Sequence, residues 1–158
     1  MSRYDVSGHA RGHLAGASAP FFAFALIAIL LYVTPRARRR PLVLVACAAW
    51  FVSTVCVLVG NVRVVDALID AGLERVPTSE IVVEGPVAAA HSLADAAPWW
   101  AVATSIAVVV ALFAGRQVSR RVAIGAGVLS VVFPPWIIPG AGMIVLVIAR
   151  GLAFEREP

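Results

Sequence analysis

Long apolar runs separated by short polar segments form the pattern of this chain. Four runs cover about residues 14–34, 42–62, 96–115 and 122–149, and the polar residues gather between them. Each run reaches the roughly 20 apolar residues that a helix needs to cross a bilayer. The pattern therefore predicts an all-α integral membrane protein, a single membrane domain over residues 1–158 built as a four-transmembrane-helix bundle.

Two short connections between these runs are rich in arginine. The first is Thr34–Leu42 and the second is residues 115–121. Short loops with many arginines stay on the cytoplasmic side of a membrane. The first holds Arg36, Arg38, Arg39 and Arg40, and the second holds Arg116, Arg120 and Arg121. With four crossings, this predicts a multi-pass protein of the cell (plasma) membrane with both termini outside the cytoplasm.

The longest polar-containing connection, residues 63–95, follows the second run and is predicted to be external. Apolar residues recur at helical spacing in its first part, which indicates an amphipathic helix on the membrane surface or a continuation of the second span. Gly60-Asn61 indicates either the exit from the membrane or a break in the helix. Asp95 is expected to cap the third span and Pro98 to lie in its first turn.

The fourth run is interrupted by helix-breaking residues near its middle. Proline removes a backbone donor and clashes with the preceding turn of a helix. One prediction is a single Pro-kinked span. The other is two half-helices that form a re-entrant hairpin and leave the C-terminus in the cytoplasm. We prefer the kinked span because it places all nine acidic residues in one compartment. The residues of this helix break are Pro134, Pro135, Pro139 and Gly140.

Composition agrees with a membrane protein and excludes one class of partner. Hydrophobic residues make up 61% of the chain and charged residues 14%, against about 45–50% and 25% in soluble domains. The net charge of +4 comes from arginines at run boundaries, and no basic patch is interleaved with aromatic residues. We therefore expect the lipid bilayer, and a protein partner or a second copy, as partners, and no nucleic acid.

Two groups of residues are candidate sites for helix packing and for metal binding. Gly8, Gly12 and Gly16 recur every four positions, which forms either a helix-packing strip or a flexible terminus. His9 and His13 share that spacing, as do His91 and Asp95. Under the predicted topology these four lie on one side of the membrane, where they could bind Zn²⁺ or Cu²⁺. The alternative is a set of local capping and charge contacts.

Function is the least constrained inference from the sequence. No catalytic motif and no cofactor motif is found, so no enzyme activity and no cofactor is expected. The leading hypothesis is a non-enzymatic accessory subunit of a larger membrane or envelope complex. The second is a small transporter or channel for a neutral or lipophilic solute, centred on the Pro134–Gly140 break. The third is an external metal-binding or metal-dependent membrane protein.

Overall fold

The computed structural model describes residues 18–70, 86–133 and 140–154. Within these ranges the chain forms five α-helices, a 3-10 turn and no strand. The elements are α1 (Ala19–Val33), the 3-10 turn (Ala37–Arg39), α2 (Pro41–Asp70), α3 (Pro86–Ala114), α4 (Arg120–Val132) and α5 (Ala141–Phe154). The predicted all-helical class is confirmed. Two segments are long and apolar enough to cross a membrane, Pro41–Ala67 and Ser92–Ala114.

The two long helices, α2 and α3, run antiparallel and form the centre of the bundle. Gly60 lies so close to α3 that a Cβ there would be 2.9 Å from the Cα atom of Ala94. Farther along the pair, Thr104 Oγ1 lies 3.3 Å from Ser53 Oγ. Small residues at such crossings allow two helix backbones to approach, which increases their packing contact.

Residues 60–70 continue α2, so Gly60-Asn61 does not break the helix. Asn61 directs its side-chain amide to the previous turn, where Nδ2 donates to the Val57 carbonyl oxygen at 2.8 Å. Because Gly60 packs against Ala94, its missing side chain serves the contact between α2 and α3. The sequence predicted either an amphipathic helix on the membrane surface or a continuation of the second apolar run. Up to Asp70, the structure shows the continuation.

Helix α3 begins at Pro86 and is continuous through residues 86–114, which corrects two expectations. Asp95 lies within the helix and is not an N-cap, and Pro98 is an internal proline. Residues 71–85, which include the rest of the predicted amphipathic helix, lie outside the described residues. The pairing with α2 accounts for the difference, because tertiary packing outweighs local end signals.

The last apolar run forms two helices that pack against each other, where one kinked span was preferred. A Cβ on Gly142 of α5 would overlap Ser130 Oγ and the Ala126 carbonyl oxygen of α4. Contact between the start of α5 and the interior of α4 requires the chain to reverse between them. At 13 and 14 residues, the helices are about 20 Å long, shorter than the ~30 Å bilayer core.

One end of the bundle gathers the two arginine-rich turns and the end of α5; we call it the arginine end. The Cδ atom of Arg40 would lie 3.3 Å from a Cβ on Gly115, so the α1–α2 and α3–α4 turns touch. At the end of α5 the Phe154 ring lies 5.8 Å from the Tyr32 ring of α1. Helices α4 and α5 therefore both have their outer ends at the arginine end.

The outer surface of the helices is strongly apolar. Phe21 of α1 is 75% exposed, Val45 of α2 is 66% exposed and Val132 of α4 is 65% exposed. A soluble monomer rarely leaves so many large apolar side chains exposed on neighbouring helices. The core is made of small and branched residues around one large side chain, Trp50, which is buried.

Candidate functional site

An open cleft of about 560 Å³ lies at the arginine end, and we call it the arginine cleft. Its lining comes from two turns that are distant in sequence, the α1–α2 turn and the turn that follows α3. The lining residues are Pro35, Arg36, Arg39, Arg40 and Gln117. Three of the five are arginines and none is acidic. The cleft is therefore a concentrated positive site.

The 3-10 turn between α1 and α2 places the cleft arginines. The backbone amide of Ala37 donates to the Thr34 carbonyl oxygen at 2.9 Å, and that of Arg40 donates to the Ala37 carbonyl oxygen at 3.0 Å. Arg38 turns away from the cleft, because its Nε donates to the Leu31 carbonyl oxygen at 2.5 Å. Three of the four arginines in this turn therefore line the cleft, and the fourth bonds to the end of α1.

The end of α3 supplies the opposite wall through a tight C-terminal cap. The backbone amide of Gln117 donates to the Leu112 carbonyl oxygen at 2.9 Å, and the backbone amide of Arg116 donates to the Phe113 carbonyl oxygen at 2.8 Å. Arg116 adopts a left-handed φ of 53° at the position where glycine is usual. That conformation costs an L-residue about 1–2 kcal/mol. The cap turns the chain so that Gln117 reaches the cleft.

Gly115 matters because it provides the room that Arg40 needs. Any side chain there would crowd Arg40 Cδ and the Ala111 carbonyl oxygen. Gln117 is held in place by its own side chain, whose Nε2 donates to the Gly115 carbonyl oxygen at 2.9 Å. The two turns are thus joined by close packing.

The cleft carries charge that the described part of the chain does not balance. The positively charged guanidinium groups of Arg36, Arg39 and Arg40 line the same cleft and repel one another. The carboxylates whose side chains the structure describes, Asp66 and Asp95, lie on the far halves of α2 and α3. An anion with several oxygen atoms would lower the repulsion and accept paired guanidinium hydrogen bonds.

A second feature lies where α5 begins, against the first third of α2. Gly140 has a φ of +97°, and a Cβ there would lie 2.7 Å from Trp50 Cζ2. The Trp50 ring is 1% exposed, and its Nε1 donor has no hydrogen-bond partner among the described residues. Trp50 is nine residues after Pro41, so this contact is about 14 Å from the arginine end.

Several predicted site residues lie outside the described residues. These are His9, His13, Gly8, Gly12, Gly16, Pro134, Pro135 and Pro139. The His91 side chain is likewise not described, and Asp95 is exposed on α3. Among the described residues no group of three or more histidine, cysteine or acidic side chains could hold a metal. The metal site and the glycine strip therefore stay predictions.

The internal hydroxyl groups of α2 and α3 form hydrogen bonds within their own helices. Ser53 Oγ donates to the Ala49 carbonyl oxygen at 2.9 Å and Thr54 Oγ1 to that of Phe51 at 2.7 Å. Thr104 Oγ1 donates to the Trp100 carbonyl oxygen at 2.7 Å, and Ser105 Oγ donates to that of Val102 at 2.7 Å. Cys47 and Cys56 are both free thiols.

Sequence reasoning identified the arginines but used them only for membrane orientation. It missed Gln117 as a cleft residue and Trp50 as a buried donor without a partner. The spacing of Arg36, Arg39 and Arg40 at i, i+3 and i+4 could have indicated a shared face, because these positions are neighbours on a helical turn. Nothing local indicated Gln117, which reaches the cleft through the pairing of α2 with α3.

Comparisons with known proteins do not add a family. No protein-family model, no curated protein and no solved structure matches this chain.

Proposed function

We propose that the protein is a multi-pass membrane protein with its arginine end in the cytoplasm. The two long apolar helices, α2 and α3, would cross the bilayer, and their hydropathy supports this. Helices α4 and α5 would enter from the cytoplasmic side as a re-entrant hairpin and return to it. This topology replaces the expected external C-terminus with a cytoplasmic one. Helix α1, which ends at the arginine end, would be a third crossing that keeps the N-terminus on the external side.

The activity we propose is non-enzymatic. The protein would act as an accessory subunit of a larger membrane assembly, holding an anionic group at its arginine end. The arginine cleft carries this proposal, because it groups three guanidiniums with no acidic lining residue. A positive cleft of this kind draws in an anionic ligand and fixes its orientation through paired hydrogen bonds.

Anion binding at the cleft predicts that inorganic phosphate stabilises the solubilised protein. At constant ionic strength, phosphate should raise the free energy of unfolding by about 2.7 kcal/mol at about 100 times its Kd. The double variant R36Q/R39Q should lose this gain, because it removes two of the three cleft charges. The measurement is the unfolding midpoint in detergent as chloride is replaced by phosphate.

The matched control is R120Q/R121Q, which removes two charges from exposed positions outside the cleft. It should keep the response to phosphate. Equal loss in both variants would mean that diffuse charge is responsible, and no response in the unaltered protein would contradict an anion site.

The subunit role is tested separately by crosslinking in native membranes. If crosslinking yields only the monomer, the result argues against a subunit role.

A second candidate function is transport of a neutral or lipophilic solute. The contact between Gly140 and Trp50 favours it. The buried indole N–H has no partner among the described residues and lies beside the start of α5, where it could donate a hydrogen bond to a solute. The test is flux in reconstituted vesicles with Pro134→Ala and Pro135→Ala combined. If every tested flux is unchanged while the variant still inserts, transport through this region is excluded.

A further inference from the structure

We infer that the anionic group held by the arginine cleft is the phosphate of an anionic phospholipid. This inference rests on the proposed function, because it assigns a ligand class to the same cleft. It goes beyond that function by naming an amphipathic ligand from the surrounding bilayer. Three observations support it: the arrangement of charge, the apolar surface beside the cleft and the position of the cleft at one end of a candidate membrane span.

The charge arrangement fits a phosphate group. Arg36, Arg39 and Arg40 line one cleft, and Arg38 is held elsewhere by the Leu31 carbonyl oxygen. Arginine binds phosphate through two parallel hydrogen bonds, which lysine does not provide. The chain has no lysine at all. The three guanidiniums that line the cleft can therefore offer paired donors to the oxygens of a phosphate.

The apolar surface beside the cleft fits the acyl chains of a lipid. Leu42 is two residues beyond Arg40 and is 64% exposed, and Val45 follows it on the outer surface of α2. On the other wall, Phe113 lies one helical turn before Gln117 and is 46% exposed. A soluble anion would use the arginines alone. A phospholipid would use the arginines and these flanking side chains together.

The position of the cleft fits a headgroup layer. The cleft lies at the turn where the apolar segment Pro41–Ala67 begins, so its arginines lie at one end of a candidate membrane span. Cytoplasmic leaflets are rich in anionic lipids, and basic pockets at this level bind their headgroups. Glu155 and Glu157 follow α5 in sequence. These two carboxylates would repel an anionic lipid, so the inference requires that the lipid binds to the full chain with both of them present.

The experiment is native mass spectrometry of the purified full chain with an equimolar mixture of phosphatidylglycerol and phosphatidylcholine of the same acyl chains. The unaltered protein should retain phosphatidylglycerol about tenfold more than phosphatidylcholine, since charged hydrogen bonds distinguish the two headgroups. In R36Q/R39Q this preference should fall about tenfold, to near unity. In the control R120Q/R121Q it should stay within about twofold of the unaltered protein.

Each result decides the inference. An unchanged preference in R36Q/R39Q, or equal loss in R120Q/R121Q, would overturn it. So would complete displacement of the lipid by millimolar inorganic phosphate, because the acyl chains would then contribute nothing. If phosphate stabilises the protein through the cleft but phosphatidylglycerol is not preferred, the lipid assignment fails while the proposed function stands. If neither ligand binds, both fail. Unfolding midpoints of both variants show whether they remain folded.

Discussion

Replacing Gly142 by alanine should lower the free energy of unfolding by about 3 kcal/mol, because it forces α4 and α5 apart. The added methyl group would overlap the Ala126 carbonyl oxygen and Ser130 Oγ. Ser130 could rotate, but it donates to the same Ala126 carbonyl oxygen at 2.9 Å. The Ala126 backbone belongs to a helix and can yield only if α4 moves. The measurement is unfolding of the solubilised protein by a denaturing detergent.

Gly151 provides the matched control for this substitution. It lies on the same helix, α5, and a Cβ there would have no neighbour within 4 Å. Alanine at Gly151 should therefore leave stability unchanged or raise it by up to about 1 kcal/mol through helix propensity. Equal, small effects at the two glycines would mean that α4 and α5 do not pack closely, and the hairpin would be wrong.

Gly140→Ala should lower the free energy of unfolding by about 3 kcal/mol, the second large effect, through two separate contributions. A φ of +97° is strained for any L-residue, which contributes about 1–2 kcal/mol. The new methyl group would also lie 2.7 Å from Trp50 Cζ2, and overpacking of this kind contributes about 1–3 kcal/mol. The same unfolding assay measures the sum.

The Trp50→Leu background separates these two parts in a double-mutant cycle. With the indole ring removed, Gly140→Ala should retain only the conformational cost of about 1–2 kcal/mol. The same cost in both backgrounds would show that Trp50 does not contact the start of α5. Because Trp50 is a large core side chain, the comparison uses differences within each background and not absolute stabilities.

Local features of the fold were predictable from the sequence. Pro41 begins α2, and its fixed φ and missing donor suit the first position of a helix. The turn before it was predicted from its prolines and arginines, since neither can continue an apolar helix. Ser53 and Thr54 return their hydroxyls to the backbone, which is their usual behaviour within helices. Each of these depends on residues within one turn.

Features that depend on neighbouring helices were not predictable in the same way. Gly60-Asn61 was interpreted as either the exit from the membrane or a break in the helix, yet α2 is unbroken there and Gly60 packs against Ala94. Pro98 was assigned to a first turn, yet α3 begins at Pro86. Proline and glycine have the same local preferences at a helix end and inside a helix. For Gly60, the contact with Ala94, more than 30 positions away, accompanies the position inside the helix.

The hairpin and the cleft illustrate the same limit. The break within the last apolar run was evident from its prolines, but its two outcomes differ only in whether α4 and α5 touch. Gly142, Ala126 and Ser130 make that contact, and their small size was the available signal. The cleft arginines were identified, whereas Gln117 joins them only through the packing of Gly115 against Arg40.

In the proposed topology, the C-terminus lies on the same side of the membrane as the arginine end. The most direct test is labelling of single reporter cysteines in intact cells with a membrane-impermeant reagent, in a Cys47→Ala, Cys56→Ala background. The reporters are Glu157→Cys for the C-terminus, Arg36→Cys and Arg120→Cys for the arginine end, and Ser79→Cys for the opposite side. Arg36 and Arg120 are exposed, whereas Ala37 is fully buried and would report poorly.

We expect Ser79→Cys to be labelled from outside, and Glu157→Cys to be protected together with both arginine-end reporters. All three protected sites should become labelled once the membrane is permeabilised. Labelling of Glu157→Cys in intact cells, with the arginine-end reporters still protected, would contradict the account. The last apolar run would then cross the membrane, and α4 and α5 could not form a re-entrant hairpin.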